Sequence, residues 1–239
     1  MTKESHRHFH DELAELRQRL LTMSGVAESA VALAVEALLE HDAERAARVL
    51  AGDNDLDRRE VDIEERCVAL IALHQPMAKD LRMLLAVLKL TNALERVGDH
   101  AVNIAEAAKR VAGAAARKGA SAQGAPIRAA MPEAELAEAA RLTRAMLSDA
   151  IDAFIRDDAP AARAIRRRDD AVDALNRTIV SGVIAGMAQD TGTIPTGMDI
   201  VLVSRNLERI ADLATNIAEE VVYLVEGKSI KHRAENGAA

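Results

Sequence analysis

The chain has 239 residues, a formal net charge of −7, no tryptophan and an aromatic content of 1%. The acidic balance and the shortage of aromatic rings argue against a surface for nucleic acid or for anionic lipid. A single cysteine, Cys67, excludes an intrachain disulfide and a cysteine-based zinc site. No signal core is seen and no apolar run reaches the roughly 18 residues of a membrane span, so we expect a cytoplasmic protein without membrane insertion.

Helical periodicity runs through the chain, and no strand pattern appears. The spacing predicts helices over about 5–40, 42–74 and 77–116, and again over about 133–157, 159–188 and 196–226. Between the two sets, residues 117–132 are rich in Gly, Ala and Ser and contain two prolines, which is typical of a linker. A loop is predicted over 191–197, and Gly227 is predicted to end the last helix before a polar C-terminal tail.

One phrase occurs twice in the sequence. ERVGDHAVNIAE (95–106) and ERIADLATNIAE (208–219) are identical at eight of twelve positions and lie 113 residues apart. Upstream, residues 35–57 align without a gap to residues 151–173 at an offset of 116. The chain is therefore a tandem duplication, and we predict an all-α fold of two three-helix bundles with pseudo-two-fold symmetry. The first bundle spans 1–116, the linker 117–132 and the second bundle 133–239.

Each copy carries an acidic ridge on two of its helices. At 100° per residue, Glu95, Asp99, Asn103 and Glu106 fall within about 80° of one another, opposite the apolar face. Glu208, Asp212, Asn216 and Glu219 repeat this ridge. On the preceding helices, Asp53, Asp57, Glu60 and Glu64 form a ridge in the first copy, and Asp169, Asp173 and Asn176 form one in the second.

These ridges have two interpretations. Acids four residues apart on a helix repel by about 0.2–0.5 kcal/mol, a cost that an ordinary solvated face tolerates. Four acidic pairs at matched positions favour instead a hard-cation site, because carboxylate and amide oxygens suit Mg²⁺, Mn²⁺ or iron. Val180 stands where the first copy has Glu64, so the second site has fewer ligands. His100 becomes Leu213 in the second copy and is placed outside the shared site, and Cys67 is interpreted as a small core residue.

The doubled phrase, together with DNDLD (53–57) and DDAVD (169–173), resembles the PhoU family of bacterial phosphate-uptake regulators. The resemblance covers the chain apart from the N-terminal stub, the linker and the tail. One departure from the first copy's motif is Ala211, which stands in place of Gly98. The resemblance implies metal binding, with iron, zinc, manganese or magnesium as candidates, at Asp53, Asp57, Glu95, Asp99, Asp169, Asp173, Glu208 and Asp212.

The resemblance also implies a negative regulator of phosphate uptake and phosphate-starvation signalling. Its partners would be the ATPase subunit of the phosphate ABC transporter and a sensor histidine kinase, which would hold it at the inner face of the membrane. A homodimer is expected. No nucleophile–base pair or glycine-rich phosphate loop appears in the sequence, which favours a regulator over an enzyme. The alternative that stays open is a metal-dependent enzyme or metal-storage bundle that uses the acidic ridges.

Overall fold

The computed structural model describes residues 3–119, 132–228 and 230, and in these parts of the chain every regular element is helical. The all-α prediction is confirmed. Residues 120–131, on which most of the predicted linker falls, lie outside the described residues, as do 231–239 of the tail. The helices are α1 Lys3–Leu39, α2 Ala43–His74, α3 Ala78–Gly119, α4 Glu133–Ile155, α5 Ala159–Arg166, α6 Asp169–Gln189 and α7 Ile194–Glu226, with a 3₁₀ turn at Thr191–Thr193.

The first bundle consists of α1, α2 and α3, joined by two tight turns. Asp42 caps α2 by accepting a hydrogen bond from the backbone N–H of Arg45 at 2.9 Å. Gln75 ends α2 with a φ of 46°, and Pro76 then prevents the helix from continuing. The core between these helices is made of Ala, Leu, Val, Ile and Met side chains, which let the helices approach closely.

The second bundle repeats this arrangement with α4, the α5–α6 pair and α7. The prediction of one helix over 159–188 is wrong, because the chain bends at Arg167 and Arg168. There, hydrogen bonds of the i→i+3 type replace the regular pattern, from Arg168 N to Ile165 O at 2.9 Å and from Ala171 N to Arg168 O at 3.1 Å. A new helix starts at Asp169, where acidic side chains favour the positive end of the helix dipole.

The predicted loop over 191–197 is also too long. The 3₁₀ turn ends at Thr193, and α7 begins at Ile194 with Pro195 in its first turn. Proline suits this position because its missing N–H would have no helical partner there. At the other end, Gly227 ends α7 with a φ of 69°, as predicted, and its N–H donates to Tyr223 O at 2.8 Å.

The two bundles meet chiefly through α3 and α7, which run antiparallel, and α1 also contacts α4. Polar contacts join α3 to α7 along their length, pairing residues in the order expected for two antiparallel helices. Each described contact has its donor on α3 and its acceptor on α7. They are Arg82 Nε to Leu224 O at 3.3 Å, Lys89 Nζ to Glu220 Oε2 at 2.8 Å, His100 Nδ1 to Asn206 Oδ1 at 2.8 Å and Arg110 Nε to Asp199 Oδ1 at 2.8 Å.

One stretch of α1, Arg7–Leu39, is the single candidate membrane span within the described ranges, judged by length and hydropathy. The expectation that no stretch would qualify was too strict, because glutamates such as Glu28 and Glu36 interrupt the apolar residues without abolishing their overall hydropathy. In the structure, 44% of the residues in the qualifying window are buried inside the protein. Leu16, Leu20 and Met23 are among the most buried side chains, as expected for the core helix of a bundle.

Candidate functional site

The acidic ridges of α2 and α3 face the same groove because the two helices are neighbours and pack closely where Gly98 meets Leu56. Asp53, Asp57, Glu95 and Asp99 are thereby brought together at one site, which we call the first cluster. Asp57 and Asp99 are exposed, whereas Asp53 and Glu95 are half-buried. None of the four forms an ion pair with another described residue.

The carboxylates of the first cluster repel one another. Partial burial raises the pKa of Asp53, and the charges of Asp57 and Asp99 raise it further. The pKa of Glu95 rises to about 7, first through burial and then through repulsion by Asp99, Glu60 and Asp57. Like charges held together in this way disfavour ionisation, so the groove would gain most from a bound cation.

Glu60 lies at the rim of the first cluster, and its charge acts on Glu95. The pKa of Glu60 is raised by burial and by the neighbouring charge of Glu64, while a hydrogen bond from Asn92 opposes the rise. The ridge on α2 predicted this position, although the family resemblance does not include it among the metal-binding residues. The first cluster and its rim therefore present six carboxylates: Asp53, Asp57, Glu60, Glu64, Glu95 and Asp99.

The second cluster, formed by Asp169, Asp173, Glu208 and Asp212, lies in the groove between α6 and α7. Burial raises the pKa of Asp169 to about 6, and the charges of Asp212 and Asp173 add to this rise. Burial also raises the pKa of Asp212, against the opposing effect of Arg209, whose Nη1 lies 3.6 Å from Asp212 Oδ2. All four carboxylates are half-buried, so this cluster is less open than the first.

Hydrogen bonds already engage some of the oxygen atoms in and beside the second cluster. Asn176 Nδ2 donates to Glu208 Oε2 at 2.8 Å, and Ser204 Oγ donates to Asn176 Oδ1 at 2.7 Å. Sequence reasoning missed Ser204. A signal was present, because a hydroxyl residue stands four positions before the ridge glutamate in both copies, as Thr91 before Glu95 and as Ser204 before Glu208.

His100 is the second residue that sequence reasoning underestimated. It belongs to the first copy, but its Nδ1 donates to Asn206 Oδ1 across the bundle interface, and its charge lowers the pKa of Asp212. No repeat-based argument could find this residue, because its counterpart is Leu213.

The outer glutamates of the ridges have arginine neighbours, with Glu106 3.8 Å from Arg110 and Glu219 3.9 Å from Arg166.

A hard cation suits the donor set of the first cluster, since its side chains offer only oxygen ligands. Thr91 of α3, one turn before Glu95, is fully buried, and its Oγ1 has no hydrogen-bond partner among the residues that the structure describes. Within the described ranges, no three His, Cys, Asp or Glu side chains already converge closely enough to hold an ion. Binding would therefore require the mutually repelling carboxylates to rotate inward around the cation.

Comparison with known proteins agrees with this architecture. The family model described as PhoU domain matches residues 20–108 and again residues 136–221, one match in each bundle. The phosphate-specific transport system accessory protein PhoU of Escherichia coli is 35% identical over 94% of this chain and 88% of its own length. The corresponding protein of Serratia marcescens is 36% identical over 94% of this chain and 87% of its own length.

Solved structures show the same fold. The crystal structure of PhoU from Pseudomonas aeruginosa matches 92% of this chain and 100% of its own with a TM-score of 0.82 and 34% identity. A PhoU structure from Streptococcus pneumoniae, described as a phosphate transport system regulatory protein, matches 93% of this chain and 99% of its own with a TM-score of 0.81 and 29% identity. With the family model matched in both bundles and relatives aligned over nearly the whole length, the chain belongs to the PhoU family.

Proposed function

We propose that the protein is a negative regulator of phosphate uptake and of phosphate-starvation signalling. It acts in the cytoplasm as an adaptor that contacts the ATPase subunit of the phosphate ABC transporter and the associated sensor histidine kinase. The observation that carries this proposal is the match to the PhoU family in both halves of the chain. The shared name of the relatives, which describes an accessory protein of the phosphate-specific transport system, supports a role in regulating phosphate transport.

The acidic clusters are proposed to bind metal ions that hold the working surface in shape. Asp53, Asp57, Glu95 and Asp99 would supply oxygen ligands between α2 and α3, and the second cluster would do the same between α6 and α7. A cation there would turn the repulsion between neighbouring carboxylates into a bridge between the two helices. The protein would act by contact, and we assign no catalytic residue.

A reporter for phosphate-starvation genes tests the regulatory role. Deleting the gene should switch the reporter on in phosphate-rich medium, and the wild-type gene should switch it off again. The double variant Glu95→Ala/Asp99→Ala should restore repression only weakly while the protein keeps its helical fold. Asp11→Ala/Glu15→Ala is the matched control, because these acids are also four apart on a helix but lie outside both clusters. Full repression by the cluster variant would show that the first cluster is only a solvated face.

Partner capture separates contact from catalysis. The purified protein should retain the transporter ATPase and the kinase from membranes of phosphate-replete cells, and a chelator should weaken this retention if the metal shapes the surface. Turnover of phosphoesters by the metal-loaded protein would instead favour the enzyme alternative. Light scattering of the purified chain tests the proposed homodimer, which should show twice the 25.7 kDa mass of one chain.

A further inference from the structure

We infer, on the basis of the adaptor role proposed above, that the chain docks a two-fold symmetric protein partner through two matched apolar patches. Each subunit of this partner lays one amphipathic helix with basic side chains along one patch. Each patch continues the groove of an acidic cluster toward the turn that joins its two helices. The first patch consists of Val68, Ile71, Leu81, Leu85 and Leu88, and the second of Ile184, Met187, Ile194, Met198 and Val201.

The two patches correspond residue by residue, because each member of the first has an apolar counterpart in the second at the offsets of the repeat. Val68 and Leu85 are 61% and 37% exposed, and their counterparts Ile184 and Met198 are 54% and 58% exposed. Large apolar side chains that stay exposed gain little from the core. Their presence at the same places in both halves therefore indicates a surface that a partner covers.

Other members of the patches hold these exposed side chains on a fixed surface. Ile71 and Leu88 pack against the core of the first bundle, and Met187 and Val201 do the same in the second. Two antiparallel helices thus present half-buried and exposed apolar side chains together. Such a surface suits the apolar face of a third, amphipathic helix.

The charge beside the patches decides which class of partner fits. Glu64 lies one turn before Val68, and in the second half the four carboxylates of the cluster outnumber Arg205 and Arg209. A divalent cation in either cluster would neutralise two of its four charges and leave the cluster negative. A basic helix is attracted to this surface, whereas an anionic membrane is repelled. A second copy of the chain, docked patch to patch, would bring like charges together.

Both patches lie on the same face of the molecule. A surface cavity between α3 and α7 is lined by Glu64 of the first copy's ridge and by Asn216 of the second copy's, so the ridges open to the same side. Because α3 and α7 run antiparallel, the patches lie at opposite ends of this face. Asp199, beside the second patch, pairs with Arg110 of α3. The stretch of α3 from Leu85 to Arg110 therefore separates the patches by about 37 Å. A partner with two equal subunits matches two equal surfaces.

Designed peptides test the inference on the purified full chain. The probe is a fluorescent helix of about 18 residues with leucines on one face and lysines on the other, used singly and as two copies joined by a flexible linker that reaches about 40 Å. Fluorescence anisotropy should show the linked pair binding at least tenfold more tightly than the single helix, with one linked pair per chain. A linked pair with glutamate in place of lysine, and one with its leucines scrambled, should bind at least tenfold more weakly.

Variants of the chain locate the binding. Val68→Ser/Leu85→Ser and Ile184→Ser/Met198→Ser should each reduce the affinity of the linked pair to that of the single helix. Both variants should melt near the temperature of the wild type, because the replaced side chains are exposed. Ile155→Ser, at an exposed isoleucine that ends α4, is the control and should leave binding unchanged.

Equal affinities of the linked and single helices, or binding that neither patch variant weakens, would overturn the inference. So would peptides that fail to bind while the patch variants abolish retention on vesicles of anionic phospholipid, or convert a dimer to a monomer in light scattering. The patches would then serve a membrane or a second copy of the chain. Any of these results, with derepression still seen in the deletion strain, would leave the adaptor role in place. A deletion strain without derepression would instead overturn the adaptor role and leave measured peptide binding to stand.

Discussion

Gly98 of α3 and Leu56 of α2 lie so close that a β-carbon on Gly98 would sit 2.4 Å from Leu56 Cδ1. The matched positions in the second bundle are Val172 and Ala211, which are both buried. The first bundle thus combines leucine with glycine at these positions and the second combines valine with alanine, so the smaller residue on one helix is matched by the larger residue on its neighbour. The departure of Ala211 from the motif of the first copy therefore comes with a smaller residue, Val172, at the position matched to Leu56.

Gly98→Ala should destabilise the protein, because the added methyl group overlaps Leu56. Overpacking of a core costs about 1–3 kcal/mol, offset by up to ~1 kcal/mol from the better helix propensity of alanine. Leu56→Val alone should leave a small void. The double variant should lose less stability than the sum of the losses in the two single variants. The difference, measured as a coupling free energy in a double-mutant cycle by urea unfolding, should be about 0.5–3 kcal/mol. Strictly additive effects would show that the two side chains do not compete for the same space.

Stability of the chelated protein should depend on pH through Glu95. Its pKa in the folded protein, about 7, lies above the ordinary value of 4.5. The contribution of this group to the free energy of unfolding is therefore fully present below about pH 4.5 and is lost as the pH rises toward 7. Glu95→Gln removes the dependence, so its advantage in melting temperature over wild type should grow from about pH 5 to pH 8. Glu65→Gln should run parallel to wild type, and a parallel curve for Glu95→Gln would contradict the expectation.

Lys89→Met should loosen the contact between the two bundles. Lys89 Nζ donates to Glu220 Oε2 at 2.8 Å and lies 5.5 Å from the centre of the Tyr223 ring, and the side chain of Glu220 is only 6% exposed. Loss of a hydrogen bond between charged groups should lower the free energy of unfolding by about 1.5–3 kcal/mol. The surface pair of Arg141 and Glu138 is the control, where Arg141→Gln should cost about 0–1 kcal/mol in urea unfolding. Equal losses at both positions would argue against an energetic role for the bundle contact.

Cys67 should resist thiol reagents in the folded protein. Its side chain is fully buried, and burial, with a smaller effect from Glu64, raises the pKa of the thiol to about 12. At pH 8 the reactive thiolate is therefore scarce, and the reagent reaches it only when the bundle opens. Ellman's reagent should label Cys67 slowly in buffer and rapidly in urea. A cysteine placed at the neighbouring exposed Val68 in a Cys67→Ala protein should react rapidly in both, and equal rates for the two thiols in buffer would contradict the buried position.

The fold was predictable because the repeat and the periodicity of apolar residues carry it, but the break after α5 was not. Ile165 and Val172 are seven residues apart and both buried, so the apolar pattern continues through Arg167 and Arg168 as though the helix were unbroken. At the break, Arg168 forms an ion pair with Asp149 of α4, and Asp169 takes the first position of α6, where the helix dipole favours an acidic side chain. Neither feature is visible in the apolar pattern.

The acidic residues of the candidate site were predictable, but the hydrogen bonds around them were not. Helix geometry places the ridge acids on one face, and the neighbouring positions of the two ridge helices follow from the short turn at Pro76. The hydrogen bonds from Ser204 and Asn176 depend on the distance between α6 and α7, which no periodicity encodes. The approach of His100 to Asp212 depends on the register of α3 against α7. That register is fixed only when the bundles dock.

The docked register also makes the two halves complementary to each other, and neither of them complementary to itself. Two copies of the first half, packed as α3 packs on α7, would have an alanine at each position where α7 supplies an acceptor side chain. Lys89, His100 and Arg110 would then lie opposite Ala107, Ala93 and Ala86. A pair of second halves would likewise set Glu220 against Leu202 and Asp199 against Tyr223. Neither half therefore carries, on its α3 or α7 face, a set of polar contacts that would pair with a copy of itself. Because one chain carries both halves, the two complementary faces are always present in a one-to-one ratio.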